Sequence, residues 1–330
     1  MKMLRTGLTA VALALSFAGV SQAAPVWSAG TNLVKYINYE NEYRPLDGTG
    51  AFGTCTDCLP TTAGDPPGYA RINPAVANNT KLGDIFLGVL SLTSTFDTAG
   101  QIYFPVPGNL FTGYFVQKVS TFAVDGSGNV TLGLSSTTDP FGILEPGGKA
   151  MFQLYSNTAA FSTTGTAGDA FNVTASIASA TSGTKWASLY DPTGIDGYAY
   201  TLTTTGTINN SNTNSYAALD ILTKYSGYNA GALNKINSQD EDAVGGVIAN
   251  PGGLVCSSAE IGSPSISCTD IVGKSNIAPN TQFGQTFAGS PWMFQSQDPF
   301  YINKIPEPGS LALMGAALAG LAVVRRRKSA

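Results

Sequence analysis

Through the body of the chain, short apolar stretches, some of them alternating with polar residues, are each cut off by Gly, Pro, Asn, Asp or Ser. Alternation puts every second side chain on one face of a strand, and such frequent turn residues leave little room for helices. The pattern dictates antiparallel sheet. Strand candidates are "NLVKYINY", "GDIFLGVLSLTSTF", "QIYFPV", "GYFVQKVSTFAV", "NVTLGL", "AMFQLYS", "FNVTASI", "KWASLY" and "GYAYTLTTT". The clearest hairpin is "KVSTFAVDGSGNVTLGL", whose Asp125-Gly126-Ser127-Gly128-Asn129 loop tolerates positive φ. One segment breaks the pattern. In "NSYAALDILTKYSG", Ala218, Ile221, Leu222 and Tyr225 recur at helical spacing, with Asn214 or Ser215 as cap and Gly227 as stop. Beyond it, "NPGGLVCSSAEIGSPSISCTD" and the run to "FYINK" read as loop. With no internal repeat to suggest a propeller or solenoid, the expectation is a mainly β body, an antiparallel β-sandwich of one or two lobes with one short helix.

Two absences narrow the chemistry. The chain contains no His, which excludes a Ser-His-Asp triad, a Cys-His dyad and any His-based zinc site within it. The precursor holds 17 Lys and Arg against 21 Asp and Glu, but six of the basic residues and one of the acidic ones sit in its two ends. Residues 24–305 therefore carry 11 against 20, a net charge of −9. So acidic a body does not attract nucleic acid or anionic lipid by charge, and no nucleic-acid partner is expected.

The four cysteines, Cys55, Cys58, Cys256 and Cys268, read as two disulfides in an oxidising compartment. Local pairing, Cys55 with Cys58 and Cys256 with Cys268, is preferred because each pair is close in sequence. The Cys55–Cys58 spacing is also that of thiol oxidoreductases, and four thiolates could hold one zinc. However, the Gly/Pro/Thr-rich surroundings lack a βαβ context, and the second pair lacks knuckle spacing.

Other candidates are weaker. Ser182-Gly-Thr-Lys185 has S-x-x-K spacing, but its flanks read as a turn into a strand and no K-T-G element accompanies it. Asp191 and Asp196, and Asp240 with Asp242, are candidate oxygen ligands for a structural Ca²⁺, without EF-hand or nonapeptide-repeat spacing. No other cofactor is expected. Tyr36, Tyr39 and Tyr43, with Glu40 and Glu42, could form a face that stacks on sugar rings; the alternative is half-buried packing with hydrogen-bonded tips. A glycosidase needs two carboxylates, and the sequence does not single out a pair among twenty. No catalytic residue is identified.

The ends are more specific. Lys2 and Arg5 precede the apolar "LTAVALALSFAGV", and Ser21-Gln22-Ala23 supplies small residues for cleavage between Ala23 and Ala24, the pattern of a secretory signal peptide. The chain closes on "IPEPGSLALMGAALAGLAVVRRRKSA". Its apolar run, 311–324, would be a helix about 21 Å long, a marginal span for a hydrocarbon core of roughly 30 Å. Arg325, Arg326, Arg327 and Lys328 form a basic stop that stays cytoplasmic. Pro306 and Pro308 hold the preceding residues extended, a form that a peptidase can bind.

This tail, with Pro306, Glu307 and Pro308 followed by Gly309 and Ser310, resembles the PEP-CTERM sorting signal of exopolysaccharide-producing Gram-negative bacteria. Ile305 stands where Val is usual. The resemblance covers only the tail and implies Sec-dependent export, transient anchoring in the inner membrane and processing by the membrane peptidase exosortase. The resulting plan is a signal peptide over 1–23, an exported body over 24–275, a spacer over 276–305 and a sorting tail over 306–330. The expected function is that of a non-catalytic surface or extracellular-matrix protein associated with exopolysaccharide, biofilm or floc. The alternative is a secreted carbohydrate-active hydrolase.

Overall fold

The computed structural model describes residues 27, 29–46, 55–61, 64–73, 80–97, 102–103, 110–124, 126, 130–157, 173–191, 199–202, 213–228, 230–237, 255–259, 261, 268–279, 292–305 and 318. In chain order the strands are β1 (Gly30–Pro45), β2 (Tyr69–Arg71), β3 (Ile85–Asp97), β4 (Ile102–Tyr103), β5 (Leu110–Val124), β6 (Val130–Ser135) and β7 (Phe152–Asn157). Helix α1 (Val173–Ala180) precedes β8 (Thr184–Tyr190), β9 (Ala199–Leu202), β10 (Thr213–Lys224), β11 (Leu233–Asn234), β12 (Ile236–Asn237), β13 (Cys268–Thr269), β14 (Ile271–Pro279) and β15 (Phe294–Lys304).

All named strand pairings are antiparallel, but they make a barrel rather than the expected sandwich. The order β3-β1-β15-β14-β10-β8-β7-β5 returns to its start because β3 also pairs β5, from Ile85 opposite Lys118 to Ser91 opposite Thr112. Eight strands close on themselves. Closure needs curvature, and irregularities supply it at Lys35/Tyr36, Val119/Thr121, Leu154/Tyr155 and Ile221/Thr223. Two staves are divided. β5 pairs β7 over Leu110–Phe115 and β6 over Lys118–Val124, while β10 pairs β9 over Asn214–Tyr216 and β8 over Asp220–Lys224. Because β6 also pairs β9, the wall is continuous at both levels.

The division of labour along each strand follows period two. Inward-facing Phe86, Leu90, Phe115, Leu154, Leu189, Leu219 and Ile302 belong to one buried cluster, the filling of the barrel. Outward-facing Ile85, Leu87, Val89, Tyr114 and Val116 belong to a second, which α1 covers with Val173, Ile177 and Ala180. Thr112 donates to the Ala180 carbonyl (2.5 Å) and Trp292 Nε1 to Ser176 Oγ (3.0 Å), fixing the helix to the wall.

The barrel end at which β1 begins is plugged by rings. Trp27, Phe111, Trp186 and Tyr228 follow one another with centroids 6.3, 5.1 and 4.7 Å apart. Among the described residues, the large hydrophobic side chains standing in solvent are Leu82, Ile261 and Leu318. They form no continuous apolar belt.

Several expectations are corrected. The segment expected to be helical, 214–227, is largely β10, because β14, β8 and β9 offer partners on both of its edges. "FNVTASI", expected as a strand, instead supplies α1, and its buried residues Val173, Ser176, Ile177 and Ala180 repeat at helical spacing. The presumed spacer, 276–305, holds the end of β14 and all of β15, a central strand paired on both sides. The signal peptide lies outside the described residues. So does the tail helix apart from Leu318, and among the described residues no helix is long and apolar enough to cross a membrane.

Gly88 is a tight point in the wall between β1 and β5. A Cβ there would lie 2.3 Å from the Tyr39 carbonyl oxygen and 2.6 Å from the Phe115 ring. Gly88→Ala should destabilise the barrel by about 3 kcal/mol or more, read as a lower urea midpoint with an unchanged slope.

Candidate functional site

The three tyrosines proposed as a glycan-stacking face do not share one. On β1, Tyr39 and Tyr43 face outward into the cluster beneath α1, whereas Tyr36 faces inward and stacks near Phe300, with centroids 5.7 Å apart. Tyr39 and Tyr43 are buried. The separation is arithmetic: residues three apart on a strand point to opposite sides. Tyr43 accepts from Asn41 (3.2 Å) and donates to Asp65 (3.2 Å), which also holds Arg71 at 2.5 Å. Burial raises its pKa, with Arg71 opposing.

The same alternation brings Asn32, Tyr36, Asn38, Glu40 and Glu42 to the inner face. Ser296 on β15 donates its hydroxyl to Asn38 Oδ1. Beyond Asn38, Glu40 lies opposite Gly88 and Phe294, fully buried, with both carboxyl oxygens unpaired. Burial pushes its pKa up to about 8, so at neutral pH the side chain is a neutral acid. Gln117 on β5 is likewise buried, with neither amide atom paired.

Next along the stave, Glu42 accepts from Thr80 Oγ1 (3.1 Å). Its pKa is raised well above the carboxylate range, first by burial and then by the negative charge of Asp84, with Thr80 and Arg44 pulling the other way. Asp84 is gripped from several sides. Arg44 donates to it through Nε (2.8 Å) and Nη2 (2.7 Å), and the Lys81 backbone N–H adds a third bond at 2.7 Å. Arg44 also reaches Cys55 Sγ at 3.7 Å. The disulfide loop is thereby tied to the polar end of the barrel, where Asp57 meets Lys81 at 3.5 Å.

Disulfides join Cys55 to Cys58 and Cys256 to Cys268. Asp191 is half-buried, while Asp196, Asp240 and Asp242 lie outside the described residues, as do Ala23, Ala24, Pro306, Glu307, Pro308 and Arg325 to Lys328. Among the described residues no three Asp, Glu or Cys side chains converge on a common point. Other acidic groups are bound into the scaffold. Asp139 accepts the N–H groups of Phe141, Ile143 and Leu144 and the Tyr114 hydroxyl. Glu145 accepts from Ser188 (2.5 Å) and Thr223 (2.8 Å), and these bonds outweigh burial and lower its pKa. Lys235 pairs with Asp220 (2.6 Å) and Asp270 (3.2 Å).

Inside the barrel, Tyr36, Asn38, Leu90, Phe152 and Phe300 border a cavity of about 40 Å³, opposite the small cross-strand pair Ala217 and Gly273. That is room for roughly three waters, well short of a sugar or a lipid chain. In the sequence Glu40 and Glu42 stand among the tyrosines, which masks the separate face that they occupy. The alternation in "YINYENEYRP" already separates the acids from Tyr39 and Tyr43.

The decisive observation lies where the barrel ends. Residues 304–328 match the family model of the PEP-CTERM protein-sorting motif. The chain carries a PEP-CTERM tail. Its match begins on Lys304, the last residue of β15, so the PEP-CTERM tail and the barrel share a boundary without a spacer. The motif implies export, a membrane-anchored sorting signal and processing by exosortase. No curated protein and no solved structure matches the chain.

Glu40 makes stability depend on pH in a defined direction. Its folded pKa, about 8, exceeds the ordinary value of 4.5, so its contribution is fully present below pH 4.5 and is lost as pH rises through 8. Glu40→Gln should melt close to wild type at pH 4.5 and be more stable by a few kcal/mol at pH 8. Parallel melting curves across that range would refute the assignment.

Proposed function

We propose that the protein is an exported barrel, held in the inner membrane by its PEP-CTERM tail until exosortase acts, and then placed at the cell surface or in the extracellular matrix. There it serves a non-catalytic role in exopolysaccharide, biofilm or floc association. The observation that carries this reading is the sorting motif joined directly to the last strand. Three features support the non-catalytic part. The chain has no His, the cavity bordered by Tyr36 and Phe300 measures only about 40 Å³, and Asp84, Asp139 and Glu145 are spent on scaffold contacts.

The alternative, a secreted hydrolase with paired carboxylates, has a candidate pair among the described residues in Glu42 and Asp84. Both are buried, which denies a polysaccharide chain access to them.

The test is the intact mass of the protein recovered from the surface and medium of its host, with exosortase present and deleted. The expected product runs from Ala24 to the region of Pro306 and appears only with the peptidase. A chain running through Ala330 in both strains would overturn the sorting reading. Release of reducing sugar from host exopolysaccharide, abolished in Asp84→Asn, would favour the hydrolase.

A further inference from the structure

The sorting motif and the fold compete for the same residues. Lys304 is the first residue of the motif match and is paired on both sides, with Gly30 of β1 and Leu233 of β11. Its Nζ donates to the Trp27 carbonyl at 3.2 Å. The next residue, Ile305, donates its backbone N–H to the Ala232 carbonyl at 2.8 Å. Pro306 follows immediately and has no N–H to offer. A peptidase that reads an extended segment commonly bonds its backbone as an added strand. Here the backbone before Pro306 is already engaged by the barrel.

Reach adds a second restriction. Only residues 306–310 separate Ile305 from the apolar run that begins at Leu311, a distance of at most about 20 Å even when fully extended. The barrel must therefore stand close to the membrane on the end plugged by Trp27, Phe111, Trp186 and Tyr228, beside the cleavage site of a membrane-embedded peptidase.

We propose that the closed barrel restrains processing of its own tail: exosortase gains the residues before Pro306 only when the Lys304–Ile305 end of β15 frays from β1 and β11. This rests on the reading of the tail as an exosortase substrate. Sorting is then timed by a local opening of the rim rather than by the motif alone.

The experiment uses the full chain in its host. A short Gly-Ser linker followed by a second Lys-Ile copy, inserted between Ile305 and Pro306, leaves both the barrel and the motif complete. Pulse-chase should show the precursor of this variant converted about tenfold faster than wild type, the equivalent of one backbone hydrogen bond of ~1.4 kcal/mol. Its melting midpoint should be unchanged. A second variant, Thr31→Cys with Asn303→Cys, places cysteines at opposed positions of β1 and β15 and should slow conversion until a reductant is added. Conversion at the wild-type rate or slower in the linker variant overturns the restraint. If the wild-type precursor is not converted at all in the exosortase-bearing host, the reading of the tail fails instead.

Discussion

Everything in this fold depends on the pairing of its first long strand with its last. β1 and β15 run antiparallel through eleven consecutive residue pairs, from Gly30 opposite Lys304 to Glu40 opposite Phe294. Without that seam the sheet would be open at β1 and β15. Its inward side chains would face water, and its outer cluster would lose Trp292, which lies immediately before β15 and holds α1 through Ser176. The seam also fixes both mouths. At one, Trp27 enters ahead of β1 and stacks against rings from β5 and β8. At the other, Met293 donates its N–H to Asn41 (2.8 Å), beside the acids of β1.

The inner face of β1 is unusually polar for a barrel stave, and its groups are costly to bury. They make register expensive to violate. A one-residue slip would drive Glu40 and Glu42 outward into the apolar cluster under α1, and a two-residue slip would separate Asn38 from Ser296 and Arg44 from Asp84. Apolar alternatives at these positions would pack, but they would not distinguish one register from the next. The price is a neutral acid kept out of water in the barrel interior.

How much of this could be read in advance follows from the range of each interaction. Strand character is local. β1, β3, β5, β7 and β8 each show it in short apolar stretches, and the sequence Asp125–Asn129 between β5 and β6 is of turn-forming type. Segments whose pattern satisfies both periods are ambiguous in the sequence. Ala218, Ile221 and Leu222 satisfy a helix on their own, but β10 has strands on both edges, and tertiary pairing overrides propensity. β15 was hidden because "FQSQDPFYINK" is polar and contains a Pro, although as a central strand it is held by neighbours far away in sequence. Closure into a barrel is a matter of β3 meeting β5 while also meeting β1, which no local pattern encodes. The sorting tail was legible because it is read as linear sequence, whereas the buried acids needed only a consistent count of faces.

The seam has a consequence for how the molecule comes into being. Thr31 and Asn303 are hydrogen-bonded partners 272 residues apart, so the barrel is dominated by contacts of high sequence separation. Such contacts form late and slowly. An exported chain crosses the membrane with its amino end leading, and β1 must wait outside with an unpaired edge until the final strand has followed it. An unpaired edge is a template for aggregation. The hydrophobic tail arrives immediately after the missing partner. The membrane anchoring that the motif implies would thus hold the chain apart from others while β15 finds β1.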